Sequence, residues 1–299
     1  MFIKRVPGFE YHAPASLDEA LELLARYGRK ARVFAGGTDL LGAMKRREIV
    51  FDHLINLKGI KALGKVRCTK SRGLEIGALA RLGDLERSAV VAEQSAVLRD
   101  ALNVIASPQI RNLGTIGGNL CSAVPSADTA PPLIASDASV TLAGGSGERS
   151  MPVEKFFKGP GRTVLKTGEI LTRITIPNPP KNSGGAYIKL MNRNAMELAI
   201  VGVAVQLQLS KDGQACRQAA IALGAVAPTP IRARAAEKVV AGRVIDENLA
   251  EKAGEAAAAA ASPIDNFRAS GAYRLEMVRV LTKRALLKAC ERIREKSNR

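Results

Sequence analysis

A short apolar run, Arg32-Val33-Phe34-Ala35, breaks on Gly36-Gly37-Thr38-Asp39 and gives way at once to Leu40-Leu41-Gly42-Ala43-Met44-Lys45, the start of a helix. Strand, glycine turn and helix in that order commit the early chain to a mixed helix-and-sheet arrangement. N–H groups left free at such a turn, with the helix dipole behind them, favour an anion. The spacing matches neither Gly-x-Gly-x-x-Gly nor the P-loop pattern Gly-x-x-x-x-Gly-Lys-Ser/Thr, so a Rossmann dinucleotide site and a P-loop are both disfavoured.

About eighty residues later a second stretch of the same character follows, Thr115-Ile116-Gly117-Gly118-Asn119, with Asp128 after Pro125-Ser126-Ala127. Without Cβ atoms, Gly117 and Gly118 allow close backbone approach and outward N–H groups, so a side chain at Gly117 is expected to intrude on a ligand path. Asn119 and Asp128 add an amide and a carboxylate suited to phosphate-adjacent and sugar hydroxyl contacts. Taken alone, either glycine pair is a turn between strands. Together they suggest two sides of one site.

Around these stretches the chain reads as two units. Ser16-Leu17-Asp18-Glu19 forms a capping box for a helix that Gly28 stops. Leu54 to Leu57 reads as a returning strand. From Lys58 a second unit begins, with strands at Lys65–Thr69 and Leu74–Ala78, helices at Leu82–Arg87 and Ala89–Ile105, and strands at Ser139–Leu142 and Glu169–Pro177. Gly144 to Gly147 reads as a hairpin turn. Pro177 to Gly185 has linker composition, which places a domain boundary near residue 178. Beyond it Val201, Val203, Val205, Leu207 and Leu209 alternate as a half-buried strand, paired through Lys211-Asp212-Gly213 with Cys216–Leu223. Helices follow at Ile231–Ala241, Asp246–Ala261 and Gly271–Arg294, the last with a basic outer face.

Chemistry of the hydrolytic kind finds little support. The 299 residues contain two histidines, His12 and His53, and four scattered cysteines, Cys68, Cys121, Cys216 and Cys290. No paired spacing suggests a metal, an iron–sulfur centre or a disulfide framework, and no nucleophile with a base is visible, so no catalytic residue and no metal ligand are expected. The formal charge is +17, but the basic residues are spread along the chain and aromatics make up 4%. Nucleic-acid binding would cluster basic residues among stacking aromatics, so an acidic protein partner or a solvated basic face fits better. No apolar run is long enough to span a membrane and no secretory leader is visible, which makes the cytoplasm the expected compartment.

Ala35-Gly36-Gly37-Thr38-Asp39-Leu40 and Thr115-Ile116-Gly117-Gly118-Asn119, with Asp128, Glu169-Ile170-Leu171 and Tyr187-x-Lys189-Leu190, resemble the flavin subunits of molybdenum hydroxylases. These are the medium subunits of carbon monoxide dehydrogenase-type enzymes and the FAD domain of xanthine dehydrogenase. The resemblance implies an α+β fold: a two-lobed FAD-binding domain, residues 1–178 with lobes of about 1–57 and 58–178, then a smaller domain of antiparallel sheet plus helices, 179–299. It implies FAD as cofactor, with Arg32, Val33, Phe34, Ala35, Gly36, Gly37, Thr38, Asp39 and Leu40 around the diphosphate. Thr115, Ile116, Gly117, Gly118 and Asn119 would close from the other side, Asp128 would hold sugar hydroxyls, Leu171 would pack on the cofactor, and Lys189 would sit at the polar edge of the isoalloxazine. Ile105 stands where xanthine dehydrogenases place an aromatic against the flavin, so NAD is not assumed as acceptor. The isolated cysteines exclude the inserted cluster of the hydroxybenzoyl-CoA reductase type.

The implied role is electron transfer within a hetero-oligomer, beside an iron–sulfur small subunit and a molybdopterin large subunit, with the basic last helix as a docking candidate. The alternatives are a stand-alone flavoenzyme acting on its own small substrate, and a cofactor-free interaction protein whose glycine stretches are only turns.

Overall fold

In the computed structural model, residues 5–193 and 196–297 are described. The first lobe alternates strand and helix: β1 (Glu10–His12), α1 (Leu17–Tyr27), β2 (Ala31–Phe34), α2 (Leu40–Arg46) and β3 (His53–Asn56). The strands form a parallel sheet in the order β1-β3-β2. Successive side chains of a strand point to opposite faces. Ile55 accordingly packs with Ala20 and Leu24 of α1, and Leu54 with Met44 of α2 and Phe51. Ser16 Oγ accepts from Glu19 N at 3.1 Å, while Glu19 Oε2 accepts from Ala15 N at 2.8 Å, one residue beyond the usual capping-box partner.

The second lobe is built on a five-stranded antiparallel sheet. Its elements in chain order are β4 (Val66–Thr69), β5 (Gly73–Gly77), α3 (Leu82–Arg87), α4 (Ala89–Gln94), α5 (Ala96–Val104), α6 (Pro108–Arg111), α7 (Ile116–Ser122) and α8 (Ala130–Ala135). β6 (Ser139–Gly144), β7 (Gly147–Pro152), β8 (Phe157–Gly159), β9 (Arg162–Thr163) and β10 (Ile170–Ile176) follow. The sheet order is β4-β5-β10-β6-β7, and β8–β9 is a separate hairpin that the residues do not announce. The helix expected over 89–105 is two helices. Ser95 breaks it because its Oγ turns back to cap Leu98 N of α5.

Beyond residue 182 lie β11 (Ser183–Leu190), β12 (Val201–Leu209), β13 (Cys216–Gly224) and β14 (Ile231–Arg232), an antiparallel sheet in that order. α9 (Arg234–Val240), α10 (Glu247–Ala259) and α11 (Gly271–Ser297) complete the chain. Ser183 to Gly185, expected in a linker, already belong to β11. Ile231 and Arg232, expected in a helix, pair with β13 instead. The alanines of α10 let helices approach: Ala250, Ala253 and Ala257 are fully buried, and a Cβ on Gly254 would strike the Arg279 carbonyl of α11.

β12 is buried on both faces along its first half, not on one. Val201, Val203, Val205 and Leu207 join Leu281, Leu286 and Ile293 of α11, while Ala204, with Ala220 and Ala222 of β13, packs into the core of the second lobe. α5 and α8 therefore carry side chains of a core shared with the C-terminal sheet. Asp100 of α5 ties the same junction, accepting from Tyr187 N at 3.0 Å and from both Nη atoms of Arg292 at 2.7 and 3.0 Å.

Two carboxylates of the second-lobe sheet make the fold acid-sensitive. Glu75 is desolvated, which pushes its carboxyl up, but Arg67, Arg173 and Arg72 outweigh burial and hold it below the ordinary range. The hydrogen bond from Arg149 does the same for Glu169. A carboxyl depressed in the folded state contributes stability that is present above its unfolded value, about 4.3, and lost as pH falls through the folded one. Thermal unfolding midpoints are expected to fall steeply below about pH 4.3, and Glu169→Gln should shallow that acid limb. An unchanged acid limb in the variant would remove Glu169 from this role.

Candidate functional site

The first glycine loop lies between the end of β2 and the start of α2. Arg32 and Asp39 are exposed, and Val33, Phe34, Ala35, Gly36, Gly37, Thr38 and Leu40 are half-buried. Gly37 takes a φ of +79°, which suits glycine, and a Cβ there would collide with the Phe34 ring. The loop carbonyls begin the helix, with Leu41 N donating to Gly37 O at 3.1 Å and Ala43 N to Asp39 O at 3.0 Å. Among the described residues the N–H groups of Gly36, Gly37 and Thr38 find no acceptor. Three adjacent, half-buried donors without partners are the chemistry of an anion cradle.

The residues that lead into the second stretch, Leu113 and Gly114, reach this loop directly. A Cβ on Gly36 would lie 2.9 Å from the Cα of Gly114 and would overlap the Leu113 carbonyl; one on Gly114 would come 3.8 Å from Thr38 Oγ1. Thr115 is the N-cap of α7, its Oγ1 accepting from Gly118 N at 3.1 Å. Here the expectation of outward N–H groups is not met. Ile116 N donates to Ala80 O at 3.1 Å and Gly117 N to Ala78 O at 2.9 Å, so both turn inward. Gly117 is a glycine for packing, because a Cβ would sit 2.6 Å from Ala78 O and 2.7 Å from Ala78 Cβ. The part of this stretch that stays half-buried is Gly118 and Asn119. Asn119 Oδ1 accepts from Thr129 Oγ1 at 2.6 Å, which leaves its amide NH₂ as the available donor.

Thr129 leads directly to Asp128, where a buried ion pair joins the lobe to the C-terminal sheet. Asp128 Oδ2 accepts from Lys189 Nζ at 2.8 Å and Oδ1 from Tyr187 Oη at 2.8 Å. Lys189 Nζ also donates to Val104 O at 3.2 Å, so two of its three hydrogens are used. The side chains of Lys189 and Asp128 are 1% and 6% exposed. Burial pushes the Asp128 carboxyl up from its ordinary value, against the opposing pull of Lys189 and the hydrogen bonds from Lys189 and Tyr187. Burial also drives the Tyr187 phenol well above its usual range, with the Asp128 charge adding to it, so Tyr187 is a fixed proton donor.

Asp128 and Lys189, expected at different parts of one extended cofactor, are bound to each other as a single buried unit. Ile105 and Leu171 are each 5% exposed and belong to the second-lobe core. Ile105 ends α5 beside the Val104 carbonyl that Lys189 binds, and Leu171 stands opposite Leu142 in the sheet.

Sequence reasoning gave no role to four contributors. Tyr187 lies two residues before Lys189 on one strand face, a period-2 signal that was available. Gly202 faces both: a Cβ there would come 2.6 Å from Tyr187 Oη. Gly114 provides the approach to Gly36, and Lys58 places its ammonium 4.2 Å from the centre of the Phe34 ring, adding a cation beside the first loop. Neither Gly114 nor Lys58 has a motif of its own.

Residues 7–179 match the family described as the FAD binding domain in molybdopterin dehydrogenase, and residues 186–289 match the CO dehydrogenase flavoprotein C-terminal domain. The chain is 35% identical to the carbon monoxide dehydrogenase medium chain of Hydrogenophaga pseudoflava, over 94% of this chain and 96% of that one. It is 31% identical to the putative xanthine dehydrogenase FAD-binding subunit of Escherichia coli, over 93% and 95%. A solved carbon monoxide dehydrogenase from Hydrogenophaga pseudoflava, a form lacking the Mo-pyranopterin moiety, superimposes with a TM-score of 0.92 at 36% identity, over 96% of this chain and 99% of that one.

Proposed function

This chain belongs to the family of FAD-binding subunits of molybdopterin dehydrogenases, and from that premise we propose that it is the electron-transfer subunit of a multi-subunit molybdenum-containing oxidoreductase. Its cofactor is FAD, and its partners are an iron–sulfur small subunit and a molybdopterin-bearing large subunit. When bound, FAD supplies the redox chemistry between the iron–sulfur clusters and an external acceptor.

The residues of this chain bind, orient and tune. Gly36, Gly37 and Thr38 offer their three unpartnered N–H groups to the diphosphate, with Arg32 to Leu40 forming that wall. Thr115 to Asn119 form the facing wall, where Gly118 allows close approach and the Asn119 amide donates. Lys189 presents a buried cation, which stabilises negative charge nearby in a site of low dielectric. Asp128 holds that cation in place, and Tyr187 in turn holds Asp128. Ile105 and Leu171 support the site from the core. A boundary near residue 178 is part of the proposal, supported by the two matched segments. So is a cytoplasmic location, with which four free thiols agree. No helix among the described residues is long and apolar enough to cross a membrane.

The observation that carries the proposal is the close approach of the first glycine loop to Leu113 and Gly114, which lead directly into the second stretch, beside three N–H groups without acceptors. Purification from the native cell, with flavin extraction and identification of co-eluting chains, tests it. FAD together with a molybdenum-bearing chain is the expected result. A colourless protein, or a yellow monomer that turns over a substrate alone, would overturn it.

A further inference from the structure

The only two histidines of the chain, 41 positions apart, meet on the outer part of the first lobe. His12 Nε2 and His53 Nδ1 are 3.1 Å apart. Glu10 joins them, its Oε2 3.4 Å from His53 Nδ1 and its Oε1 3.7 Å from His12 Nε2. Strand geometry explains the meeting: Glu10 and His12 are two apart on β1 and share a face, and Glu10 lies opposite His53 in the parallel pairing of β1 with β3. Among the described residues this is the only group of three His, Cys, Asp or Glu side chains whose ligand atoms converge.

The geometry points to a divalent metal site, with Zn²⁺ as the ion that fits best. Zn–N and Zn–O bonds of about 2.0–2.1 Å in a tetrahedron put neighbouring ligand atoms about 3.3 Å apart. The two imidazole nitrogens, 3.1 Å apart, lie near that edge, and the Glu10 carboxylate faces both, Oε2 at 3.4 Å from one and Oε1 at 3.7 Å from the other, so either oxygen can complete the set by a side-chain rotation. Two imidazoles and a carboxylate are a borderline-soft donor set that suits zinc better than calcium or magnesium.

The rings are also held in place. Tyr27 of α1 stacks on His53 with centroids 3.6 Å apart and planes 17° apart, and lies 5.1 Å from His12. The histidine side chains are 13% and 15% exposed and Glu10 is 63% exposed, so an ion enters from the Glu10 side and keeps its fourth position for water. A bound ion would staple β1, a three-residue edge strand, to β3, the central strand of the first-lobe sheet.

The test uses the full-length, untagged protein carrying its flavin, stripped with chelator and titrated calorimetrically with Zn²⁺. One Zn²⁺ per chain is expected, with a raised thermal midpoint on addition. His12→Gln and His53→Gln should each weaken binding by about tenfold or more, and Cys68→Ser, which changes the one exposed thiol, should leave it intact. Glu10→Gln, at an exposed position, should weaken binding without altering the metal-free midpoint. Absence of binding to the wild type, binding that survives both histidine changes, or binding lost in Cys68→Ser would each overturn the assignment. Flavin content is read in the same samples, so a failed flavin assignment and a failed metal assignment remain separable.

Discussion

Lys189→Met is expected to destabilise the protein by about 3–5 kcal/mol, the cost typical of removing one partner from a buried ion pair. Methionine fills similar volume, so packing contributes little of the loss. What is left is Asp128, 5% exposed, with one hydrogen bond from Tyr187 and no counter-charge. The double variant Asp128→Leu, Lys189→Met should recover most of the loss, because replacing both members with apolar groups is often neutral or better. Urea unfolding of the four forms in a double-mutant cycle measures the coupling. A double variant no more stable than Lys189→Met would show that the pair does not act as a unit. FAD in the single variant should remain extractable but have a lower reduction potential, since a nearby cation favours the reduced, negatively charged ring. An unchanged potential would remove Lys189 from tuning and leave it a purely structural ion.

The second large effect is expected at Gly36. Gly36→Val places side-chain atoms where the Leu113 carbonyl and the Gly114 Cα lie, so the two glycine stretches must separate. Overpacking of this kind costs about 1–3 kcal/mol. The greater effect is on the ligand, because parting the walls takes Asn119 away from the three N–H donors. The variant is expected to purify folded, with near-native circular dichroism, and to retain less than about a tenth of stoichiometric flavin, a loss of at least about 1.4 kcal/mol in binding. Gly64→Ala is the control, since a Cβ there meets nothing within 4 Å. Full flavin content in Gly36→Val would remove the inter-wall contact from the binding argument.

These expectations show what local sequence carries. The first glycine stretch was legible because strand, turn and helix follow one another within a dozen residues, and its free donors follow from that order alone. The second was legible as a glycine pair but not in its direction. Gly117 faces Ala78, a partner 39 positions away, and nothing near Gly117 announces that partner. The ion pair shows the same limit. Asp128 and Lys189 were each expected at a ligand, yet their pairing depends on β11 lying beside α5, a tertiary fact. Strand β12 repeats the lesson. Its valines announced one buried face, but glycine and alanine on the other read as neutral, although they are small so that Tyr187 and α5 can approach. The boundary between elements was hardest where a serine changes role, as Ser95 does in capping one helix and ending another.

The sharing of β12 and β13 between two cores bears on how such a chain can change over evolutionary time. A region joined only by a tether can be exchanged for a foreign one by recombination, but here Ala204, Ala220, Ala222 and Tyr187 lie in the same apolar cluster as Leu98 and Leu102. A transplanted C-terminal half would bring side chains shaped for another chain's α5, and Asp100 would face a stranger in place of Arg292. The two halves are therefore constrained to be inherited as one piece, with substitutions on one side of the junction answered by substitutions on the other.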